Sequence, residues 1–154
     1  MTQRTVDRHA RDILSVVAPG GRWVEPKPHL IVADHDAENR ARFEAELGLG
    51  TTNADKNVKD GIETVQRRLR PAGDGRPRVY FLRTALVERD ESLEEARKPC
   101  STLEEIPGYV WAPSPDGRPV KEEPVKINDH GMDAMRYICK ELDPLSRPRI
   151  RMLR

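Results

Sequence analysis

The residue pattern predicts an α/β protein: a mainly parallel sheet with flanking helices. Apolar residues recur at helical spacing in Val6/Ala10/Ile13/Val17, in Ile62/Val65/Leu69 and in Met132/Met135/Cys139/Leu142. Between the first two sets lies an apolar run without alternation, Leu30-Ile31-Val32-Ala33, which suits a strand covered on both faces. The pieces alternate strand with helix, an order that favours a layered, mainly parallel sheet.

Each element has its own signal. The first helix covers Thr5 to Val17 and stops at the breaker Pro19-Gly20-Gly21. Pro26 and Pro28 keep the chain extended into a strand from His29 to Asp34. A second helix starts near Asp36, with Asp36 or His35 as its cap and Asp36 and Glu38 in a first turn that favours acids; it ends at Gly48. Thr51 to Ala54 is a short, weak strand. Lys59 to Leu69 is the next helix, closed by Pro71, and Arg78 to Leu82 is a clear strand. Glu91 to Pro99 and Thr102 to Ile106 read as short helical pieces, and Tyr109 to Trp111 as a brief extended stretch packed under the charged loop Gly117 to Pro124. The last helix spans Gly131 to Leu142, and Pro144 ends it.

Composition narrows the functions. The chain has 154 residues, 36% hydrophobic and 34% charged, enough for one modest core and not two. No apolar run approaches the roughly 18–20 residues that span a bilayer, and the polar start lacks a signal core. Two cysteines, Cys100 and Cys139, build neither a disulfide framework nor a four-ligand zinc site, so a reducing, cytoplasmic setting fits. Both read as inert core or near-core residues. A net charge of +1 gives no general argument for nucleic acid, but the charge is uneven. Arg67, Arg68, Arg70, Arg76 and Arg78 face one acid, Asp74, and Arg147, Arg149, Arg151 and Arg154 face none. Such clusters grip phosphates or are simply solvated faces and tails.

Two polar clusters carry the candidate chemistry. Asp34-His35-Asp36 follows the buried strand, at the end where sites gather in open parallel sheets. The plain alternative is a turn residue followed by a helix cap. Asn128-Asp129-His130-Gly131-Met132-Asp133 opens the last helix, where Asp129 and Asp133 share a face and His130 can meet Asp133. Here too a plain reading exists, with Asp129 as the cap and Asp133 complementing the dipole. There is no GxxxxGK[ST] phosphate loop, GxSxG or HExxH motif.

Taken in order, Ile31-Val32-Ala33-Asp34-His35-Asp36-Ala37-Glu38, Ala54-Asp55-Lys56 with Gly61-Ile62, and Asp129-His130-Gly131-Met132-Asp133-Ala134-Met135-Arg136-Tyr137 resemble the C-terminal nuclease half of the large terminase subunit of tailed phages. The last stretch looks like that family's closing (D/N)HxxDALRY signature. The resemblance covers about residues 8–142. It implies a partial ribonuclease H-like fold in residues 1–143, followed by a basic tail over 144–154. It implies an endonuclease that cuts double-stranded DNA with two metal ions, Mg²⁺ or Mn²⁺, held by an acidic triad. Two such ions clamp the attacking and leaving oxygens of an in-line displacement, and carboxylates offset their mutual repulsion. Asp34 matches the second acid and Asp133 the third, as metal ligands and catalytic residues, with His130 and Asp129 auxiliary. Lys56, a candidate phosphate contact or a plain solvated lysine, joins Arg67, Arg68 and Arg70 as DNA-binding candidates.

The chain departs from the family at the first acid. Only Asp7 and Asp12 precede Arg22, and both fall on the predicted first helix. Met1 therefore falls partway through the domain, and the expected partners include the missing N-terminal ATPase/nuclease segment. Double-stranded DNA, the portal protein and the small terminase subunit complete the set, in the host cell cytoplasm and with no membrane. A sheet without its opening strand would be marginal or need a partner chain. The alternative is a non-enzymatic DNA- or portal-binding remnant with a dead active site.

Overall fold

The computed structural model describes residues 5–24, 26–83, 88–112 and 123–143. It mixes helix and strand, with 51% of the described residues helical. The chain divides into two compact units, Met1–Asp55 and Lys56–Arg154. Among the described residues no helix is long and apolar enough to cross a membrane.

The first unit is a helix followed by a strand–helix–strand crossover. Helix α1 (Val6–Val17) is capped by Thr5, whose side chain accepts from the Arg8 N–H. It ends in a short 3-10 turn, Pro19–Gly21, where Gly20 takes φ 63°. Strand β1 (Val32–Ala33) is shorter than the predicted His29–Asp34 stretch, and its residues are only half-buried. It pairs in parallel with β2 (Thr52–Asn53), Val32 opposite Thr52 and Ala33 opposite Asn53. Helix α2 (Ala37–Leu47) makes the crossover, capped at Asp36, one of the two residues expected there, and closed by Gly48 at φ 70°. Glu44 ties the end of α2 to β2, accepting from the Thr51 N–H at 2.8 Å and its hydroxyl at 2.5 Å.

The second unit is built on helices α3 (Val58–Leu69) and α6 (His130–Leu142). Their contact holds the cluster Val65, Met132, Met135 and Cys139, with Val79, Phe81, Tyr109 and Ile138 packed around it. The buried face of α3 is rotated from the predicted stripe: Gly61, Thr64 and Val65 are buried, and Leu69 is exposed. Gly61 explains the rotation. A Cβ there would lie 3.2 Å from three side-chain atoms of Arg136, so glycine lets α6 come close. Leu142, the last member of the α6 stripe, is exposed as well, while Arg136, Tyr137 and Lys140 are buried.

Short elements complete this unit. Helix α4 (Glu91–Glu95) is shorter than the predicted Glu91–Pro99, because Arg97 turns to φ 53° and the Lys98 N–H bonds the Leu93 carbonyl. Helix α5 (Thr102–Glu105) leads into a 3-10 turn, Ile106–Gly108. Trp111 bridges Pro124 in an antiparallel pair and is itself exposed, while Tyr109 reaches the core. The predicted strand Arg78–Leu82 is not a strand among the described residues, for want of a neighbouring ladder to pair with. Residues 117–122 of the predicted loop, the terminating Pro144 and the basic tail 144–154 lie outside the described residues.

Candidate functional site

The mouth of α6 is the most developed polar site. Asn128 takes φ 51° and turns the chain into the helix, and Asp129 occupies the cap position. The Asp129 side chain makes no capping hydrogen bond. Glu105, at the end of α5, does that work: its Oε2 accepts from the N–H groups of Gly131 at 2.8 Å and Met132 at 3.0 Å. A carboxylate is well placed there, because the first N–H groups of a helix have no partner of their own and carry its positive end. Gly131 is needed for this closeness, since a Cβ would meet the Thr102 hydroxyl at 2.3 Å. The expectation that Asp129 caps is right in position and wrong in hydrogen bonding. Glu105 lies 26 residues from Gly131, beyond the reach of local capping rules.

One turn further in, Asp133 is held by Arg136 and Tyr137. The Arg136 guanidinium donates to Oδ1 in a short ion pair, and the Tyr137 hydroxyl lies 3.4 Å from Oδ2. Arg136 is 3% exposed, while the Asp133 side chain keeps 27% of its surface in water. The ring of Tyr137 adds a cation–π contact, 5.5 Å from the guanidinium carbon. Burial pulls the Arg136 pKa down, but the Asp133 hydrogen bond, with the charges of Tyr109, Asp133 and Tyr137, carries it above the ordinary value. Tyr109 faces the same cluster. Burial pushes its phenol up; Arg136 opposes that rise, and Asp133 and Asp129 add to it. The Tyr109 hydroxyl and Arg136 Nε and Nη1 are buried without a hydrogen-bond partner.

Asp34 follows β1 in the first unit, its side chain about half-exposed and 3.5 Å from His35 Nδ1. Asp36 is occupied as a cap, and hydrogen bonds from the Asn39 N–H and side-chain amide hold its carboxyl below the ordinary range. Asp7 and Asp12 both lie on α1. His130 is exposed, and no hydrogen bond joins it to Asp133. Lys56 opens the second unit. Arg67 and Arg68 lie in the last turn of α3, with Arg70 as the cap residue just past it. Arg67 is bound to Asp143 at 2.5 Å, and the Arg68 carbonyl accepts from the Arg78 N–H at 2.6 Å. Cys139 is buried, with its thiol pushed up by burial; Cys100 is half-buried beside Glu104.

A divalent ion of the Mg²⁺ or Mn²⁺ kind needs several oxygen donors converging on one point. Among the described residues no three His, Cys, Asp or Glu side chains gather in that way. Asp133 shares its carboxylate with the Arg136 guanidinium. Sequence reasoning missed Arg136 and Glu105 as the partners that organise this region. The one signal for Arg136 was a charged residue three positions after Asp133, on the buried side of the helix. Comparison with known proteins finds no matching family model, curated protein or solved structure.

Proposed function

We propose that the chain is a DNA-handling module of the terminase large-subunit nuclease kind, contributing to phage DNA packaging. In this reading its sheet is part of a ribonuclease H-like fold. Asp34, in the first unit, and Asp133, in the second, are the metal-binding carboxylates that the chain contributes, and a further acid comes from outside it. The observation that supports the reading most is the register Asp129-His130-Gly131-Met132-Asp133 with Arg136-Tyr137 at the mouth of one helix. Support also comes from the parallel pair that puts Asp34 directly after a strand. With Mg²⁺ or Mn²⁺ bound, the centre would supply an activated water and charge neutralisation for phosphodiester hydrolysis. Lys56, Arg67, Arg68 and Arg70 would meet the backbone of double-stranded DNA, which makes binding steeply salt-dependent.

A second reading draws on the grip of Arg136 on Asp133. A carboxylate already neutralised by a buried guanidinium suits a non-enzymatic DNA- or portal-binding protein with a dead site. Supercoiled plasmid incubated with the full chain and Mn²⁺ distinguishes the two. The nuclease reading expects nicking that is lost in Asp34→Ala and in Asp133→Asn, the second chosen because it keeps a hydrogen-bond acceptor for Arg136. Nicking that survives both substitutions removes the assignment. DNA retardation without nicking establishes the second reading.

A further inference from the structure

We propose that residues 79–82 form a receptor edge for an extended strand of a partner polypeptide, one with alternating side chains and acidic ends. The segment has the side-chain alternation of a strand but no ladder. Val79 and Phe81 pack on the Val65–Met132–Met135–Cys139 cluster, while Tyr80 and Leu82 are 70% and 77% exposed. That period of two is what an extended backbone imposes. The core anchors one face, so the backbone between is held in place. Among the described residues none of the N–H or carbonyl groups of 79–82 has a hydrogen-bond partner; the last bond before them joins the Arg78 N–H to Arg68.

A row of unpaired backbone groups flanked by exposed apolar side chains is a template for strand addition. The charge of the segment selects among occupants. Residues 76–83 hold three arginines and no acid. Arg78 is matched by Asp74 at 2.9 Å, whereas Arg76 and Arg83 hold no ion pair among the described residues. A second copy paired antiparallel about the centre of the segment would lay Arg78 against Arg83, two like charges across a ladder. Nucleic acid would engage the arginines but leave the amides, the carbonyls and Leu82 unmet. A strand with acidic ends answers all of these features together. A cavity of about 590 Å³ beside the segment, lined by Tyr80, Leu82, Ser101, Thr102 and Leu103, gives room for its side chains.

Hydrogen exchange of the full chain tests this. In the free protein the amides of 79–82 are expected to exchange like those of an unstructured chain; protection there means the edge is already covered and overturns the proposal. The probe is a short peptide of alternating valine and threonine with a glutamate at each end. It should slow one alternating pair of these amides, Tyr80 with Leu82 or Val79 with Phe81, by about tenfold at saturation, and a lysine-ended version should not. Proline at a protected position, Tyr80→Pro for the first pair or Val79→Pro for the second, should abolish the effect, and Tyr80→Pro, on the exposed face, should leave the thermal midpoint unchanged. Absence of protection by the acidic peptide, equal protection by the basic one, or protection of these amides by an oligonucleotide in its place each overturns it.

Discussion

The helix pairs at the heart of the two units are held together by different means. Where α1 meets α2 the buried residues are small or few: Ala10, Ala18 and Leu47. Larger apolar side chains such as Ile13, Trp23, Ile31 and Phe43 line an open groove of about 260 Å³. Their ion pair, Arg11 with Glu46 at 2.7 Å, is largely in water. Where α3 meets α6, two methionines, a valine and a cysteine are buried together with charges. Arg136 and Lys140 are 3% and 4% exposed, and Asp143 is buried against Arg67. The same device, a cation–carboxylate pair at a helix contact, is therefore a solvated ornament in one unit and a structural commitment in the other.

Breaking those pairs gives the largest expected difference. Asp133→Ala leaves the Arg136 charge buried and uncompensated, and should destabilise the second unit by about 4 kcal/mol. Arg136→Met should cost far less, about 1 kcal/mol, because the remaining carboxylate reaches water and two unpaired buried N–H groups disappear. Arg11→Ala should cost no more than about 0.5 kcal/mol. Urea unfolding, followed through Trp23 for the first unit and Trp111 for the second in single-tryptophan variants, reads each separately. Equal losses from Asp133→Ala and Arg11→Ala would break the comparison.

Truncating apolar side chains should repeat the contrast on a smaller scale. Met135→Ala removes a residue only 8% exposed and should cost about 3 kcal/mol, against about 1 kcal/mol for Ile13→Ala at 43% exposure. The caps follow. Glu105→Ala strips the α6 N-terminus of two charge-assisted bonds and should cost about 2 kcal/mol, with partial recovery in Glu105→Gln. Amide exchange at Gly131 and Met132 locates that loss.

What the letters revealed, and what they hid, follows the range of the interactions. The Asp36 cap, the stop at Gly48 and the spans of α1, α2, α3 and α6 are local matters of spacing and capping, and they were legible. The Glu105 cap was not, since it closes over 26 residues. The rotation of α3 onto Gly61 was hidden because counting apolar letters favours Ile62 and Leu69, while close helix approach favours the residue without a side chain. Residues 79–82 show the reverse case: the segment was read as a strand and its side chains do alternate in burial, but a strand also needs a neighbour, which the segment itself cannot specify. At the candidate site the register of Asp129, His130 and Asp133 was visible. The hold of Arg136 on Asp133 was not weighed, because the motif was read for ligands and not for counter-ions.

Titration gives the smallest and most discriminating test. In the first unit Asp36 and Glu44 have carboxyls held below their ordinary values, Asp36 by the N–H and side chain of Asn39, Glu44 by the hydroxyl and N–H of Thr51. A depressed carboxyl contributes stability that is present above its unfolded value and lost as pH falls through the folded one. That loss therefore begins below about pH 4.5 in α2 and its link to β2. The second unit shares an acid limb through Glu104, held down by the Cys100 N–H and by Arg89. Its described residues add an alkaline one. Burial raises the Cys139 thiol and the Tyr109 phenol, and groups raised in this way contribute stability that is full below their unfolded values and lost as pH climbs past them. Above about pH 9 the urea midpoint reported by Trp111 should fall while that reported by Trp23 holds. Cys139→Ala should flatten the first part of that decline, since it removes the thiol and leaves the phenol in place. Parallel declines at the two tryptophans would mean that burial of titratable groups does not separate the units after all.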